Sequence, residues 1–182
     1  MRSAANAWTV LEAAELICSA EVVAEAVRRM AAEITVHLHD QHPLVLTVMG
    51  GAVVFTGQLL PLLHFPLDFD YIHLTRYGRE TQGGHIRWEV APKDTVAGRV
   101  VLVLDDILDE GATLAAVRTR LLEGGAAAFF SAVLVEKQID RPKPVAADFV
   151  GLRIPDRYVF GFGMDVRGEW RNLPAIYALR DS

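Results

Sequence analysis

Four carboxylates fall within six residues at Asp105, Asp106, Asp109 and Glu110, and Gly111, Ala112 and Thr113 follow at once. Clustered carboxylates can orient hydroxyl groups, hold a divalent cation or move a proton. Gly111 permits a tight turn, and the amides after it, with the Thr113 hydroxyl, can donate to a phosphate at a helix N-terminus. The acids would repel a bare phosphate. They therefore face ribose hydroxyls or a cation while backbone dipoles take the phosphate, and a sugar phosphate with Mg2+ fits better than a simple anion. An acidic turn after an ordinary buried strand is the plainer alternative. The third aspartate and the Gly-x-Thr ending count against it. Neither G-x-x-x-x-G-K-[ST] nor a helix-opening G-x-G-x-x-G occurs in the chain.

The acids need a support that delivers them to one edge. Residues 100–104 are a continuous apolar run, the pattern of a strand covered on both faces in a parallel sheet. Ligands of such sheets bind beyond the carboxyl ends of the strands, where the acids fall. Further strands are expected at 44–49, 69–75, 86–90 and 126–135, and helices at 52–63 and 114–122, the latter ended by Gly124 and Gly125. This order predicts an α/β fold with a mostly parallel central sheet flanked by helices. Met49, Gly50 and Gly51 would bring backbone amides to the same edge as a second anion subsite, and Lys137 would reach it at the end of 126–135. The connection from 75 to 86 carries Arg76, Tyr77 and Gly78 and exceeds the usual hairpin length of about 2–5 residues, which suggests a lid. Upstream, helices are expected at 8–20 and 21–38. The second has an apolar stripe of Val22, Val23, Ala26, Val27, Met30, Ile34 and Leu38. His37, His39 and His42 read as a polar helix end rather than a metal site, because residues two apart on a helix diverge.

Composition narrows the function classes. The 182 residues suit one domain spanning 1–182, and a hydrophobic share of 52% supports a sizeable core. A net charge of −5 without a basic cluster argues against a nucleic-acid partner. No apolar run approaches the roughly 18 residues of a membrane span, and Glu12 and Glu15 interrupt the N-terminal region, so a cytoplasmic chain without membrane association is expected. The single cysteine, Cys18, reads as a small core residue.

Residues 100–114, VVLVLDDILDEGATL, resemble the phosphoribosyl pyrophosphate motif of type I phosphoribosyltransferases: four apolar residues, two acids, two apolar residues, then D-x-G-x-T. Residues 147–165, ADFVGLRIPDRYVFGFGMD, are similar to the C-terminal signature of the hypoxanthine-guanine members. The likeness spans about residues 20–172.

The resemblance implies the type I phosphoribosyltransferase fold, with a small hood from about 1–20 and 148–182. It implies Mg2+-dependent purine salvage, converting hypoxanthine or guanine and phosphoribosyl pyrophosphate to a nucleoside 5′-monophosphate and pyrophosphate. Asp105, Asp106, Asp109, Glu110, Gly111, Ala112 and Thr113 would bind phosphoribosyl pyrophosphate, with Asp109 catalytic. Met49, Gly50, Gly51 and Arg171 would take the pyrophosphate and Asp165 the metal, with Arg141 near the same site. Lys137 would donate to the six-position oxygen, Tyr158 would stack on the base, and the Val159 backbone would read its edge. Arg76, Tyr77 and Gly78 would form the closing loop. Met49 stands where the family often has Lys or Arg, and Arg76 where it often has Ser. A homodimer or homotetramer is implied. The alternatives are a xanthine-preferring enzyme and a nucleic-acid-binding regulator that retains the fold.

Overall fold

The apolar runs become paired strands in the computed structural model, which describes residues 4–77 and 85–180. In chain order the elements are α1 (Ala4–Glu12), β1 (Glu15–Cys18), α2 (Ala20–Leu38), β2 (Leu44–Met49), α3 (Val53–Leu59), β3 (Asp68–Tyr77), β4 (His85–Val90) and β5 (Val100–Leu108). They continue with α4 (Ala112–Glu123), β6 (Ala128–Gln138), β7 (Phe149–Pro155), β8 (Val159–Phe160) and β9 (Ile176–Ala178). Among the described residues the main sheet has the order β4-β3-β2-β5-β6-β7. Its pairings are parallel except that of β4 with β3.

The sheet separates two apolar clusters. Val45, Leu102, Leu104 and Leu134 meet Val23, Val27, Met30, Ile34 and Leu38 of α2 and Phe55 and Leu59 of α3. On the other face Leu46, Val101, Val103 and Val133 meet Leu114, Val117 and Leu121 of α4. Burial of both faces is why these strands are nearly all apolar. The α2 stripe forms as expected except for Val22, which is exposed. Helix α2 starts at a capping Ser19, whose hydroxyl accepts the Val22 amide at 3.4 Å. At its far end the Nδ1 atoms of His37 and His39 lie 2.8 and 2.9 Å from the carbonyls of Glu33 and Thr35, so each ring is engaged with its own helix.

Four expectations need correction. The helix expected over 8–20 stops at Glu12, and Glu15–Cys18 is a strand instead, because β1 finds a partner in β9 (Glu15 opposite Ala178, Leu16 opposite Tyr177). The strand expected to end at 104 runs on to Leu108, since β6 stays alongside it: Asp105 pairs with Val133 and Leu108 with Glu136. The acids Asp105 and Asp106 therefore lie within a paired strand, not in a loop beyond it. Similarly β6 extends to Gln138, so Lys137 is a strand residue. Of the C-terminal segment assigned to a hood, β7 belongs to the main sheet through its pairing with β6.

β8 and β9 join β1 in a separate antiparallel sheet of order β1-β9-β8 among the described residues. Val159, Phe162, Met164, Ile176 and Ala178 sink into the α2/α3 cluster and fasten this sheet to the main core.

Candidate active site

Alternation along β5 divides the two aspartates. Asp105 shares its side of the strand with Val103, in the α4 cluster, and Asp106 shares its side with Leu104, toward α2 and α3. Asp105 is 6% exposed. Burial pushes its carboxyl well above the ordinary carboxylate range, and the neighbouring Asp106 charge adds to the rise. Burial also raises Asp106, against the opposing pull of its hydrogen bonds and of the Arg171 guanidinium. The Asp106 amide donates to Asp105 Oδ1 at 3.0 Å.

Beyond Leu108 the chain turns through Asp109 and Glu110 to Gly111, which caps α4 at φ +85°, a conformation suited to glycine. The amides that follow open the first turn of α4 and have no acceptors within the helix. Asp105, Asp106, Asp109, Glu110, Gly111, Ala112, Thr113, Met49, Gly51 and Arg171 all line one cavity of about 300 Å3. Gly50 joins Met49 through a cis peptide bond. It does not itself line the cavity.

Gly51 packs directly against Asp106, since a Cβ on it would stand 1.9 Å from Asp106 Oδ2. Gly163, from the loop between β8 and β9, approaches the other side: a Cβ there would lie 1.9 Å from the Gly51 carbonyl oxygen. Its φ of +102° also suits glycine. The 49–51 turn is thus held between β5 and the smaller sheet's loop.

A second cavity, of about 210 Å3, is lined by Lys137, Tyr158, Val159 and Asp165, and it shares Asp106, Ile107, Asp109 and Arg171 with the first. The shared residues make the two cavities neighbouring chambers of one cleft. Lys137 Nζ donates to Asp109 Oδ2 at 3.0 Å and lies 3.8 Å from Asp156 Oδ1. Tyr158 is exposed and donates its hydroxyl to the Asp165 carbonyl at 3.1 Å. Asp165 meets Arg171 Nη2 through Oδ1 at 2.5 Å and accepts the Gly168 amide at 2.6 Å. Arg171 Nη1 donates to the Gly163 carbonyl at 2.6 Å. Arg141 is ion-paired with Glu110.

Of the expected closing loop, Arg76 and Tyr77 are the backbone end of β3, opposite Ile86 and His85. Gly78 lies outside the described residues.

Several contributors were not singled out from sequence. Lys143 bonds the carbonyls of Leu108 and Lys137 at 3.1 and 2.6 Å. Its flanking Pro142 and Pro144 were the available signal of a restrained segment. Gly163 was marked only by the Gly161-x-Gly163 spacing. Trp170 donates its indole N–H to the Ala7 carbonyl at 2.9 Å and meets Trp8 edge-on at 4.9 Å. This ties the residue before Arg171 to α1, and no local sequence pattern announces it.

The cleft suits a molecule with a phosphate at one end, hydroxyls in the middle and a flat heterocycle at the other. A phosphoribosyl transferase domain model matches residues 17–167. The chain is 33% identical over 161 residues to the hypoxanthine-guanine-xanthine phosphoribosyltransferase of Tritrichomonas foetus, covering 88% of each chain. It is 30% identical over 167 residues to the hypoxanthine-guanine phosphoribosyltransferase of Bacillus subtilis, covering 91% of this chain and 93% of that one. A solved structure of a mutant hypoxanthine phosphoribosyltransferase from Trypanosoma cruzi is similar at a TM-score of 0.85 and 28% identity, over 93% of this chain and 97% of that one.

Proposed function

The chain belongs to the phosphoribosyl transferase family, and from that premise we propose that it transfers the 5-phosphoribosyl group from phosphoribosyl pyrophosphate to hypoxanthine or guanine. The products are IMP or GMP and pyrophosphate. The observation that carries the base end is the chamber in which Lys137 and Asp109 meet beside Tyr158 and Val159.

In this reading Asp105 and Asp106 bind the ribose hydroxyls. The amides of 111–113 and the Thr113 hydroxyl hold the 5′-phosphate at the start of α4. Met49, Gly50 and Gly51, through their backbone, and Arg171 bind the pyrophosphate. Lys137 donates to the six-position oxygen, which an amino group at that position could not accept, and Tyr158 stacks on the ring. The bond from the ribose carbon to pyrophosphate oxygen breaks as the bond to the purine nitrogen forms, and Asp109 takes the proton that this nitrogen releases. Arg76 and Tyr77 end β3, and the closing role expected of them with Gly78 would keep water from the reacting carbon.

Mg2+ fits the acids present. It is commonly held by one or two carboxylates together with substrate phosphates rather than by a full protein cage. Among the described residues no group of three or more potential metal-binding side chains is assembled. Asp165 would be its protein ligand, and burial pushes the carboxyls of Asp105 and Asp106 upward, a shift that a nearby cation would oppose. When bound, the ion would neutralise charge on the departing pyrophosphate.

Xanthine is a second base to test, because one relative is named for it as well and its six-position oxygen also suits Lys137. The names of the relatives favour an enzyme over a nucleic-acid-binding regulator. Among the described residues no helix is long and apolar enough to cross a membrane. A cytoplasmic location and a homodimer or homotetramer accompany the reading, the latter measurable by light scattering.

The deciding experiment is a spectrophotometric assay of hypoxanthine, guanine, xanthine and adenine with phosphoribosyl pyrophosphate and Mg2+. Turnover of the 6-oxopurines is expected. No turnover with any base would sink the enzyme reading, and a preference for adenine would remove the role given to Lys137.

A further inference from the structure

β5 and β6 part company at the base chamber. Their pairing ends with Leu108 opposite Glu136. Asp109 then enters the phosphate loop, whereas Lys137 continues in β6 opposite Ile154 of β7. Backbone pairing between the two strands therefore stops one residue short of the two side chains that meet at the base. Lys143, in the connector between β6 and β7, reaches this point. Its ammonium donates to the Leu108 carbonyl at 3.1 Å and to the Lys137 carbonyl at 2.6 Å, with Glu136 Oε1 at 3.6 Å. The side chain is 12% exposed.

We propose that Lys143 is a positioning residue that sets the spacing between Asp109 and Lys137, and so tunes the base end of the reaction. The proposal rests on the phosphoribosyl-transfer reading above. An ammonium has three donors, enough to take both carbonyls and still face a carboxylate. The Leu108 carbonyl belongs to the peptide that leads into Asp109, and the other carbonyl belongs to Lys137 itself. Tying the two restrains both residues from the backbone side, while their side chains meet at 3.0 Å in the chamber.

The stem of Lys143 has a separate task. Its Cβ and the Cδ of Pro144 stand 3.5 and 3.2 Å from where a Cβ on Gly111 would be, so the connector packs on the phosphate loop. Those contacts involve carbon atoms that methionine retains or does not alter. Lys143→Met thus removes the tie at the base end while keeping the packing at the phosphate end.

The test compares the unaltered chain with Lys143→Met and Lys143→Arg in steady-state assays varying hypoxanthine, guanine and phosphoribosyl pyrophosphate separately. Misplacement by about 1 Å can cost on the order of 100-fold in rate. Lys143→Met is expected to lower kcat at least about 10-fold and to raise KM for the base, with KM for phosphoribosyl pyrophosphate changed less than about 3-fold. Lys143→Arg, which keeps a cation and its donors, is expected to recover most of the loss. Near-normal constants in Lys143→Met, or equal worsening toward both substrates, overturns the proposal. If Lys143→Met does not fold, Lys143→Gln, which shortens the stem and removes the charge, takes its place under the same criteria: a loss confined to kcat and the base constants supports the proposal, and near-normal constants or equal worsening toward both substrates overturn it. Absence of turnover in the unaltered chain refutes the phosphoribosyl-transfer reading and this inference with it. Turnover there with an indifferent Lys143→Met refutes the inference alone.

Discussion

Lys137 Nζ stands 3.0 Å from Asp109 Oδ2, joining the residue suited to recognise a purine oxygen to the one suited to take a purine proton. The lysine side chain is only 11% exposed and the aspartate 45%. In the proposed reaction an entering 6-oxopurine would accept from a further donor of the ammonium and so bring its ring proton to the carboxylate. Recognition and proton transfer would then be linked at one contact.

Asp109→Asn keeps the shape of the side chain and removes its basicity. General-base assistance contributes about 100- to 10,000-fold, so kcat should fall by that order while KM for phosphoribosyl pyrophosphate stays within about 3-fold. Steady-state kinetics with hypoxanthine measures this, and near-normal turnover would remove Asp109 from the proton-transfer role.

Lys137→Met removes the donor to the base. Hydrogen bonds to charged groups are worth about 1.5–3 kcal/mol, so kcat/KM for hypoxanthine and guanine should drop about 10- to 150-fold. Discrimination against adenine should shrink in the same variant. Competition assays with paired bases would read both effects, and an unchanged ratio of hypoxanthine to adenine turnover would reassign the recognition.

Gly51→Ala forces a methyl group to within 1.9 Å of Asp106 Oδ2 unless the carboxylate moves. Overpacking of this kind costs about 1–3 kcal/mol. Because relief of the clash displaces the Asp106 carboxylate from the ribose, calorimetric titration should find phosphoribosyl pyrophosphate bound at least about 10-fold more weakly, a binding loss of about 1.4 kcal/mol. Unaltered affinity would show that Asp106 does not act at the ribose.

Asp105→Asn should stabilise the unliganded chain at neutral pH. Burial, reinforced by the charge of Asp106, raises the folded-state pKa of Asp105 above its unfolded value. Between those two values the native chain holds more protons than the unfolded chain, so this group's contribution falls as pH rises through that window and is most favourable below it. Asp70 runs the other way, lowered chiefly by its hydrogen bond from Lys93, and it cancels when variant and parent are compared. Calorimetric scans should give Asp105→Asn a Tm higher by about 2–4 °C, what roughly 1 kcal/mol produces at this size. The gap should close on acidification. Equal Tm values across the pH range would contradict it.

Much of the fold follows from local pattern. The apolar runs at 44–49 and 100–104 became β2 and the first part of β5, and the three-and-four spacing from Val23 to Leu38 became the buried face of α2. Pattern failed where a distant partner decided the outcome. Glu15-Leu16-Ile17-Cys18 is short and mixed enough to continue a helix, and it is a strand because Ile176–Ala178 offers it backbone partners. Asp105 and Asp106 look like a loop edge by composition, yet β6 supplies carbonyls and amides that keep them in a strand.

By itself the sequence determined the chemical vocabulary of the cleft: the acids and phosphate turn of 105–113, Lys137 after its strand, and the Tyr158-to-Asp165 segment, whose types and spacings are written in the chain. Only the tertiary structure decided their relations. It set Asp109 against Lys137 across 28 positions of chain, paired Asp165 with Arg171, pressed Gly163 onto Gly51, and brought Lys143 to the carbonyls where β5 and β6 separate. The physical reason is range. Residue type and local period are properties of a few neighbouring residues, whereas distances between strands depend on register, on packing across both faces of the sheet and on buried polar groups finding partners.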